Sequence, residues 1–355
     1  MSSSILFSLL VPSYNRPELI RETVNSLLAD DSRDLEIIVS DDASPRRTEI
    51  KTAVSGLIQS GRIKYIQQEK NLGWSNNRNA LVAAAQGEYV ILLGDDDRLK
   101  AGAIHCLREW TIKYPEVSIF GFGYDIIDER GNRVFTLCTP KSILYEIRSN
   151  DHWKEILAYD AVPMWSHHPF TLCSKREVAL AIRYNPTVDI ADDVVFIFDA
   201  LEQGHKFMTI PEILFQWRVA IEAGGSYSTL SGSMERCYRT RGLILAEWLN
   251  RPALRQEVAS LLRDPRFLAR FCMFKSSDAI ELLRLLDAEP ADGKALGDFI
   301  CDRAMVARLS FLELLERQAR AVKVMGFMHV LNYLRYKWDQ NRLAGSLRKK
   351  ATRSP

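Results

Sequence analysis

Three consecutive carboxylates stand at the end of a short apolar run that closes with Leu93 and Gly94: Asp95, Asp96 and Asp97. Carboxylates this close repel one another unless a cation or hydrogen-bond donors lie between them. A hard divalent cation such as Mg²⁺ or Mn²⁺ prefers oxygen ligands and also binds substrate phosphates. The triplet therefore indicates either a metal site or a solvated acidic turn that caps a following helix.

A second acidic pair, Asp41 and Asp42, follows the apolar run at 35–39. An Asp-Asp pair after a strand forms a turn or a helix cap, or it accepts hydrogen bonds from a ring N–H beside a base-binding aromatic. Tyr14 is the candidate aromatic, and ordinary packing is the alternative for its ring. These residues gain a shared role only if the fold brings them together.

The elements around these residues predict such a meeting. Apolar runs at 5–11, 35–39, 63–67 and 89–93 predict buried strands, and periodic segments at 17–28, 49–60 and 76–85 predict helices between them. This alternation predicts an α/β fold with a doubly wound, mostly parallel sheet. Ligands of such sheets bind beyond the carboxyl ends of the strands. Three polar segments, 13–15, 41–42 and 95–97, should lie at that edge.

Beyond residue 100 the pattern is mixed and then helical. Segments 101–114 and 194–201 predict helices, and 117–124 and 133–137 predict strands around the turn at 129–132. From about residue 234 onward the pattern is almost wholly helical, with breaks at Pro252, Pro265 and Pro290. We predict a domain at 1–230, with halves at about 1–100 and 101–230, and a helical C-terminal region at 231–355.

Composition narrows the class of protein. The 355 residues carry 47 Lys and Arg against 45 Asp and Glu, a net charge of +2 that gives no general attraction to nucleic acid. The six cysteines are widely spaced without a CxxC pair, which disfavours a zinc site or a disulfide framework. No apolar run approaches the ~18 residues of a membrane span. We therefore expect a cytoplasmic protein that is soluble or peripheral to the inner face of the cytoplasmic membrane.

Four segments together resemble a known family. They are Val11–Arg16, Ile37–Ser44, Asn71–Trp74 with Arg78 and Asn79, and Leu92–Asp97. In order and spacing these segments are similar to the inverting, family-two glycosyltransferases of the GT-A fold, of the bacterial surface-polysaccharide type. The resemblance covers roughly residues 5–228, and the string of four segments is specific although no single one is.

The resemblance implies a role for each position of the donor half. Tyr14 would stack on the nucleobase in a pocket shaped by Pro12, and Asp41 would bind the base edge, which favours uracil or thymine. Arg78 would lie near the diphosphate, and the acidic triplet would hold the ribose and a Mn²⁺ or Mg²⁺ ion. The predicted nucleotide-sugar site also includes Asn15, Asp42, Asp95 and Arg218.

The metal ligand has two candidate registers. The commonest form of the family has an Asp where this chain has Gly94, which favours Asp96 as the ligand. An Asp-x-Asp register over Asp95 and Asp97 gives Asp97 instead. Both residues are predicted metal ligands.

The resemblance also implies a general base about ~100 residues later, in an acidic pair that opens a helix. Asp192 and Asp193 fit, with Asp193 as the base that deprotonates the acceptor hydroxyl. Adjacent carboxylates raise one another's pKa, which suits proton uptake near neutrality. The alternative is a pair of N-terminal helix carboxylates that the helix dipole stabilises.

One departure concerns the segment 216–220. Many relatives carry a His after an Arg here, and that His completes the metal shell. This chain has Arg218 but no following His. The metal would then depend on the triplet, the diphosphate and water, or bind weakly. Arg218 would neutralise diphosphate charge, or form a surface salt bridge.

An aromatic segment lies where relatives place loops that contact the acceptor. Its candidate acceptor-binding residues are Trp165, His167 and His168. Adjacent residues of a strand point to opposite faces, which disfavours a metal site at the two histidines. Stacking on a sugar ring and ordinary packing both remain open.

The C-terminal region carries an amphipathic stripe followed by basic residues. The stripe is Val324, Phe327, Met328, Leu331, Leu334 and Trp338, and the basic residues include Lys323, Arg335, Lys337, Arg342, Arg348, Lys349, Lys350 and Arg353. Such a helix binds an anionic membrane, packs on its own domain or forms a homodimer contact.

These expectations combine into one function and two rivals. The predicted enzyme transfers a sugar, with inversion, from a nucleoside-diphosphate donor, favoured as UDP, to a glycan or lipid-linked glycan in surface polysaccharide or lipopolysaccharide synthesis. A sugar nucleotidyltransferase would need a Gly-rich phosphate loop after the first strand, where this chain has 12–17, Pro-Ser-Tyr-Asn-Arg-Pro. A catalytically inactive nucleotide-sugar-binding or scaffold protein is the third hypothesis, supported by the missing His.

Overall fold

The computed structural model describes residues 5–30, 34–138, 142–146, 172–187, 192–218, 251 and 255–256. Several predictions from the sequence lie outside these residues: the acceptor residues Trp165, His167 and His168, the domain boundary near 230, and the stripe at 324–338 with its basic tail. Each stays a prediction. No helix of the described part is long and apolar enough to cross a membrane.

The first ninety residues alternate between strands and helices. The elements are β1 (Phe7–Ser13), α1 (Pro17–Leu27), β2 (Leu35–Asp41), α2 (Arg47–Ala53), α3 (Ser55–Gln59), β3 (Lys64–Gln67), α4 (Trp74–Ala84) and β4 (Tyr89–Leu92). All seven residues of β1 are buried, because helices and neighbouring strands cover a central parallel strand on both sides. Pro17 begins α1, where its fixed φ suits the first helical turn.

The remaining elements are more mixed. They are β5 (Arg98–Leu99), α5 (Ala103–Lys113), β6 (Ile119–Ile127), β7 (Arg133–Leu137), β8 (Ile143–Tyr145), β9 (Leu172–Lys175), α6 (Arg176–Ile182), α7 (Asp192–Glu202) and β10 (Phe207–Arg218). The predicted helices at 101–114 and 194–201 correspond to α5 and α7, and the two predicted strands correspond to β6 and β7.

The ten strands that the described residues contain form one sheet. Its order is β3-β2-β1-β4-β9-β6-β10-β5, with β7 beside β6 and β8 beside β10. The strands β3, β2, β1 and β4 are parallel, and β9 runs antiparallel to both β4 and β6. The predicted α/β class is confirmed, with a parallel first half and a mixed continuation.

The parallel register decides which residues meet at the sheet edge. Ser13 pairs with Asp41 across β1 and β2, and Leu10 pairs with Leu92 across β1 and β4. The segments that follow β1, β2 and β4 therefore leave the sheet on the same side. A buried apolar core below this edge fixes the strands, with Leu9 and Val11 of β1, Ile20 of α1 and Ile91 of β4 among its members.

Two features differ from the sequence prediction. The single helix predicted at 49–60 is two helices, α2 and α3, separated at Val54, which has φ −113° and ψ 9° and is buried in the core. The sequence pattern also did not predict β9 and β10. Strand β10 shifts its register against β6 between Ile210 and Phe215, so its apolar residues do not follow the strict alternation of a regular strand.

Candidate active site

Asp95 joins the end of β4 to the end of β1. Its Oδ2 accepts hydrogen bonds from the Ser13 hydroxyl at 2.9 Å and from the Tyr14 backbone N–H at 3.0 Å. Its Oδ1 accepts from Arg16 Nη1 at 2.9 Å. Asp95 is 2% exposed, so these donors offset the cost of its buried charge. In this arrangement its first task is to fix the turn that presents Tyr14.

A second set of contacts joins the ends of β1 and β2. The Asn15 backbone N–H donates to the Ser44 hydroxyl oxygen at 2.9 Å, and that hydroxyl donates to Asp41 Oδ1. Asn15 has φ 61°, a left-handed conformation in which Asn is enriched. The structure thus brings Tyr14, Asn15 and Asp41 to one edge with the acidic triplet, as the sequence predicted.

The second oxygen of Asp41, Oδ2, is buried and has no hydrogen-bond partner within the described part of the chain. The Tyr65 hydroxyl is near and likewise has no close partner: burial, the charge of Asp41 and a weak hydrogen-bonding interaction with Asp41 raise the pKa of Tyr65. A buried carboxylate oxygen without a donor is costly. Asp41 therefore suits a ligand that supplies an N–H.

The Tyr14 ring is 49% exposed, whereas the residues before it on β1, including Pro12, are buried. Its backbone is fixed by Asp95, yet its ring is not part of the core. The structure therefore disfavours ordinary packing as the reason for an aromatic residue here. An exposed ring on a fixed backbone is suited to stacking on a planar ligand.

Asp42 has a different environment. Its Oδ1 accepts from the Leu72 N–H at 2.7 Å, and its Oδ2 accepts from the Gly73 N–H at 3.0 Å. Gly73 has φ 81°, which glycine adopts without strain, and α4 begins at the next residue. Burial raises the pKa of Asp42, and the two N–H donors oppose that shift. Asp42 thus orders the loop before α4, which is the turn role that the sequence left open for it.

Asp96 and Asp97 carry negative charge that the protein offsets only in part. Asp96 Oδ2 lies 3.0 Å from Arg16 Nη1, and Asp97 Oδ1 accepts from the Arg218 backbone N–H at 2.9 Å. Burial raises the pKa of Asp96 to about 6, although the charge of Arg16 opposes the shift. Burial and the charge of Asp96 raise the pKa of Asp97 well above its ordinary value. Raised pKa values of this kind mark a place where additional positive charge is stabilising.

The space beside the side chains of Asp96 and Asp97 depends on the residue at position 94. A Cβ at position 94 would lie 2.5 Å from Asp97 Oδ2 and 3.1 Å from Asp96 Oδ1. A side chain there would have to displace both carboxylates. In the present arrangement of the triplet, glycine leaves this space to the side chains of Asp96 and Asp97, which are the carboxylates left to act as ligands.

These residues fit a divalent cation. Their oxygens are hard ligands, and Mg²⁺ is usually held by one or two carboxylates together with water and substrate phosphates. No group of three or more His, Cys, Asp or Glu in the described ranges forms a metal cage. The donor set is thus two carboxylates, which leaves coordination positions for a phosphorylated ligand.

Arg218 lies at the end of β10 and is 3% exposed. Its Nε donates to the Asp96 carbonyl oxygen at 2.8 Å, and its Nη2 pairs with Glu22 Oε2 at 3.0 Å. Its Nη1 donates to the Glu129 carbonyl at 3.0 Å. The guanidinium is thus buried behind the triplet and connects β10 to α1 and to the turn after β6.

The pair Asp192 and Asp193 opens α7, and both residues are fully buried. Asp192 Oδ1 lies 2.8 Å from Arg78 Nη1, and Asp193 Oδ1 accepts from the Val194 N–H at 2.6 Å. Burial, and then the charge of Asp192, raise the pKa of Asp193 to about 8, while Arg78 opposes the shift. A carboxyl with a pKa in this range exchanges a proton near physiological pH.

Sequence reasoning missed some residues of these centres. Arg16 lies within one of the four family-like segments, yet its bridging of Asp95 and Asp96 was not predicted. Tyr184, whose ring lies against Arg78, follows α6 and has no signal in the sequence pattern. Arg78 was predicted near a diphosphate, and the structure pairs its guanidinium with Asp192 instead.

A surface cavity of about 410 Å³ lies elsewhere, lined by Arg47, Thr48, Lys51, Thr52, Ser55 and Gln67. None of the predicted site residues lines it. Among the described residues its lining has two basic side chains, Arg47 and Lys51, and no acidic one.

A family model matches the part of the chain that contains the parallel half of the sheet. The family model "Glycosyl transferase family 2" matches residues 8–167. The matched range includes β1, β2 and β4 with the segments that follow them, and it ends before α7.

A curated relative shares part of this range. The GalNAc(5)-diNAcBac-PP-undecaprenol beta-1,3-glucosyltransferase of Campylobacter jejuni is 39% identical over 127 residues, which are 35% of this chain and 40% of that protein. The chain thus spans about two fifths of this relative.

Two solved structures are similar in fold. TarS 1-349 of S. aureus in complex with UDP-GlcNAc has a TM-score of 0.55 at 18% identity, over 87% of this chain and 92% of that one. The mannosyltransferase PcManGT of Pyrobaculum calidifontis in complex with GDP-Man and Mn²⁺ has a TM-score of 0.52 at 18% identity, over 85% and 86%. At these identities the likeness establishes the fold.

Proposed function

The chain belongs to glycosyl transferase family 2 through residues 8–167, and on that premise we propose that it transfers a sugar, with inversion, from a nucleoside-diphosphate donor to a glycan or lipid-linked glycan. The proposed donor is a UDP-sugar. The proposed pathway is the synthesis of a surface polysaccharide or lipopolysaccharide.

One observation carries this proposal. Parallel strands bring three features to one edge of the sheet. They are the exposed ring of Tyr14, the buried Oδ2 of Asp41, and the adjacent carboxylates of Asp96 and Asp97. These three features match three properties of a nucleotide sugar: its base is planar, the base carries a ring N–H, and its diphosphate binds a cation. The arrangement follows the rule that ligands of parallel sheets bind beyond the strand ends.

Tyr14 and Asp41 are the proposed base-binding residues. Tyr14 would stack on the base, and Asp41 Oδ2 would accept from the imide N–H of uracil. The solved S. aureus structure, similar in fold, contains UDP-GlcNAc, which supports this choice. Guanine also offers an N–H, and the P. calidifontis structure contains GDP-Man, so the experiment below compares both bases.

Asp96 and Asp97 are the proposed ligands of Mn²⁺ or Mg²⁺. When bound, such an ion neutralises charge that grows on the leaving nucleoside diphosphate. Glycine at position 94 keeps the space beside the two carboxylates open. Arg16, which bridges Asp95 and Asp96, holds the carboxylates in place when the site has no other positive charge.

Asp193 is the proposed general base. It would take the proton of the acceptor hydroxyl while that oxygen attacks the anomeric carbon from the face opposite the diphosphate. The anomeric carbon–oxygen bond to the diphosphate breaks in the same step, so no covalent sugar–enzyme intermediate is needed. Its raised pKa makes the carboxylate a stronger proton acceptor than an ordinary aspartate.

The acceptor is proposed by chemical class alone. The name of the C. jejuni relative specifies an undecaprenol diphosphate-linked glycan, which supports a lipid-linked glycan here. The C-terminal stripe at 324–338 and its basic tail would bring the active site to an anionic membrane, with a homodimer contact as the alternative. Trp165, His167 and His168 are the proposed acceptor-side residues.

The test begins with binding. Calorimetry of the purified full chain with UDP, GDP and dTDP, in Mn²⁺ and in EDTA, should show preferred binding of UDP that Mn²⁺ strengthens. Asp96→Ala should remove the metal-dependent part, and Tyr14→Ala should weaken binding with and without the metal. Equal UDP affinity in Mn²⁺ and EDTA would overturn the metal assignment.

Turnover follows with a panel of UDP-sugars and a lipid-linked glycan acceptor. Release of UDP that depends on the acceptor supports transfer, and the anomeric configuration of the product, read by NMR, tests inversion. If the chain binds UDP-sugars but no combination of donor and acceptor gives release of UDP, the inactive binding protein becomes the better description.

A further inference from the structure

We propose that Arg78 is a positioning residue for the acidic pair, holding Asp192 and thereby Asp193 in place for proton uptake, and that it does not contact the donor diphosphate. The inference rests on the proposed role of Asp193 as the base. It assigns the third segment of the family-like string, which contains Arg78 and Asn79, to the catalytic pair rather than to the nucleotide.

The first support is burial. Arg78 is 1% exposed, and its Nη1 lies 2.8 Å from Asp192 Oδ1 on a residue 114 positions later. Removing one partner of a buried ion pair leaves an uncompensated charge, so a stable fold keeps the two together. A phosphate could take this nitrogen only by displacing Asp192.

The second support is an aromatic clamp. The guanidinium carbon of Arg78 lies 4.0 Å from the centre of the Tyr184 ring and 5.3 Å from that of Trp74. The Tyr184 ring in turn stacks on Phe196 of α7, with centroids 4.7 Å apart. Aromatic rings at these distances stabilise the guanidinium cation and restrict its orientation. Arg78 is thus connected to α7 through a ring stack as well as through its ion pair.

The neighbour of Arg78 completes the connection. Asn79 Oδ1 accepts from the Tyr184 N–H at 2.8 Å, and Asn79 Nδ2 donates to the Tyr184 carbonyl at 2.8 Å. The backbone N–H and C=O of Tyr184 are therefore both hydrogen-bonded to one side chain of α4. The consecutive residues Arg78 and Asn79 fix the ring and the backbone of the same tyrosine.

The electrostatics point in the same direction. Asp192 Oδ1 has its charge balanced by Arg78, while Asp193 Oδ2 accepts no hydrogen bond from any described residue. Asp192 Oδ2 also lacks a hydrogen bond in the described structure, but its carboxylate is ion-paired with Arg78, so Asp193 is the residue better suited to take the proton. Among the described residues, the groups that face the pair are Arg78 and Ser75 from α4 and Tyr184 from the segment after α6. Arg78 is the cation among these, and its charge opposes the rise in the pKa of Asp193.

The experiment compares Arg78→Gln and Arg78→Lys with the wild-type full chain. Arg78→Gln should lower kcat by at least ~10²-fold, a loss of the size that general-base catalysis contributes. The acid limb of its kcat/KM profile should move to higher pH, because the charge that opposes the pKa rise is gone. Arg78→Lys should restore part of kcat and return the limb toward that of the wild type.

Measurements of donor binding test whether Arg78 contacts the diphosphate. Calorimetry with UDP and UMP should give the same ratio of affinities for Arg78→Gln as for the wild type. A selective loss of UDP affinity would show a diphosphate contact and overturn the proposal. An unmoved acid limb would also overturn it, because a purely structural role lowers activity without changing that pKa.

A double variant guards against misfolding. Arg78→Gln with Asp192→Asn removes both charges of the pair, so it should fold even if Arg78→Gln alone does not. Its UDP-to-UMP ratio should equal that of the wild type, and a lower ratio contradicts the proposal. If the wild type shows no transfer with any donor, the proposed function fails, while these affinity ratios still test whether Arg78 contacts the diphosphate.

Discussion

The acidic triplet at 95–97 and the acidic pair at 192–193 are both runs of adjacent aspartates, yet their hydrogen-bond donors and charged neighbours differ. Each carboxylate of the triplet has a donor: the turn after β1 supplies the Tyr14 N–H to Asp95 and Arg16 to Asp96, and the backbone of β10 supplies an N–H to Asp97. The pair is fully buried and faces one guanidinium, and each of its two residues keeps an oxygen without a hydrogen bond in the described structure.

The difference teaches what decides the chemistry of a carboxylate. In the triplet, charges are concentrated and held rigidly at a sheet edge, and the most effective way to stabilise them is another cation. Burial raises the pKa in both clusters, but the pair is fully buried and faces one described guanidinium, and the simplest way to stabilise Asp193 there is a proton. The same residue type is thus suited to metal binding at one place and to proton transfer at the other.

Loss of the base should give the largest effect. Asp193→Asn should reduce kcat by at least ~10²-fold, the lower end for a general base, while calorimetry shows UDP affinity close to that of the wild type. Asp192→Asn is the matched control, since it removes the other carboxylate of the same pair. If Asp193→Asn keeps near-normal turnover, the base is elsewhere, with Asp192 as the first candidate.

The pH profile comes next in size. Since Asp193 acts only when ionised and its pKa is raised to about 8, kcat/KM should fall about tenfold per pH unit below that value. Stopped assays from pH 6 to pH 9 would measure this limb. A flat profile over this range would place the pKa of the base below pH 6, which would show that burial does not tune this group and would remove the contrast with the triplet.

Arg16 tests the other half of the comparison. Its guanidinium bridges Asp95 and Asp96, so it competes for the charge that a divalent cation would use. Arg16→Gln should therefore bind Mn²⁺ more tightly in the absence of nucleotide, by roughly tenfold, which corresponds to about 1.4 kcal/mol. Arg46→Gln is a control, because Arg46 pairs with Glu18 and Glu49 at the surface. Weaker Mn²⁺ binding by Arg16→Gln would mean that Arg16 organises the site instead.

Stability should change in opposite directions in the two centres. Asp95→Asn should lower the free energy of unfolding by about 1–3 kcal/mol, because an amide cannot accept from all three of its donors. Asp193→Asn should raise it at pH 8.5. The native state keeps the Asp193 proton up to about pH 8 whereas the unfolded chain loses it near 3.8, so wild-type stability falls as pH rises across that interval.

Urea unfolding at pH 4.5 and pH 8.5 would measure both effects. The advantage of Asp193→Asn should be small at pH 4.5, where the group is largely protonated in the native protein as well. An equal effect of Asp193→Asn at both values would contradict the raised pKa. A stabilising effect of Asp95→Asn would show that its three hydrogen bonds do not offset its burial.

The sequence determined the parallel half of the fold and the residues at its edge. Apolar runs with polar ends predicted β1 to β4 closely, and the parallel connection of such strands requires their carboxyl ends to lie on one side. Tyr14, Asp41 and the triplet could therefore be placed together before any coordinates. The split at Val54 and the strands β9 and β10 could not, because they depend on packing against distant elements.

Only the tertiary structure decided what each carboxylate faces. The Arg78–Asp192 pair joins residues 114 positions apart, and the hydrogen bond from Arg218 to Asp97 joins residues 121 positions apart. Burial and charged neighbours set a pKa, and both are properties of three-dimensional position. The sequence therefore predicted which aspartates form the site, while the fold sets the surroundings on which their proposed roles rest: a cation at Asp96 and Asp97, and a proton at Asp193.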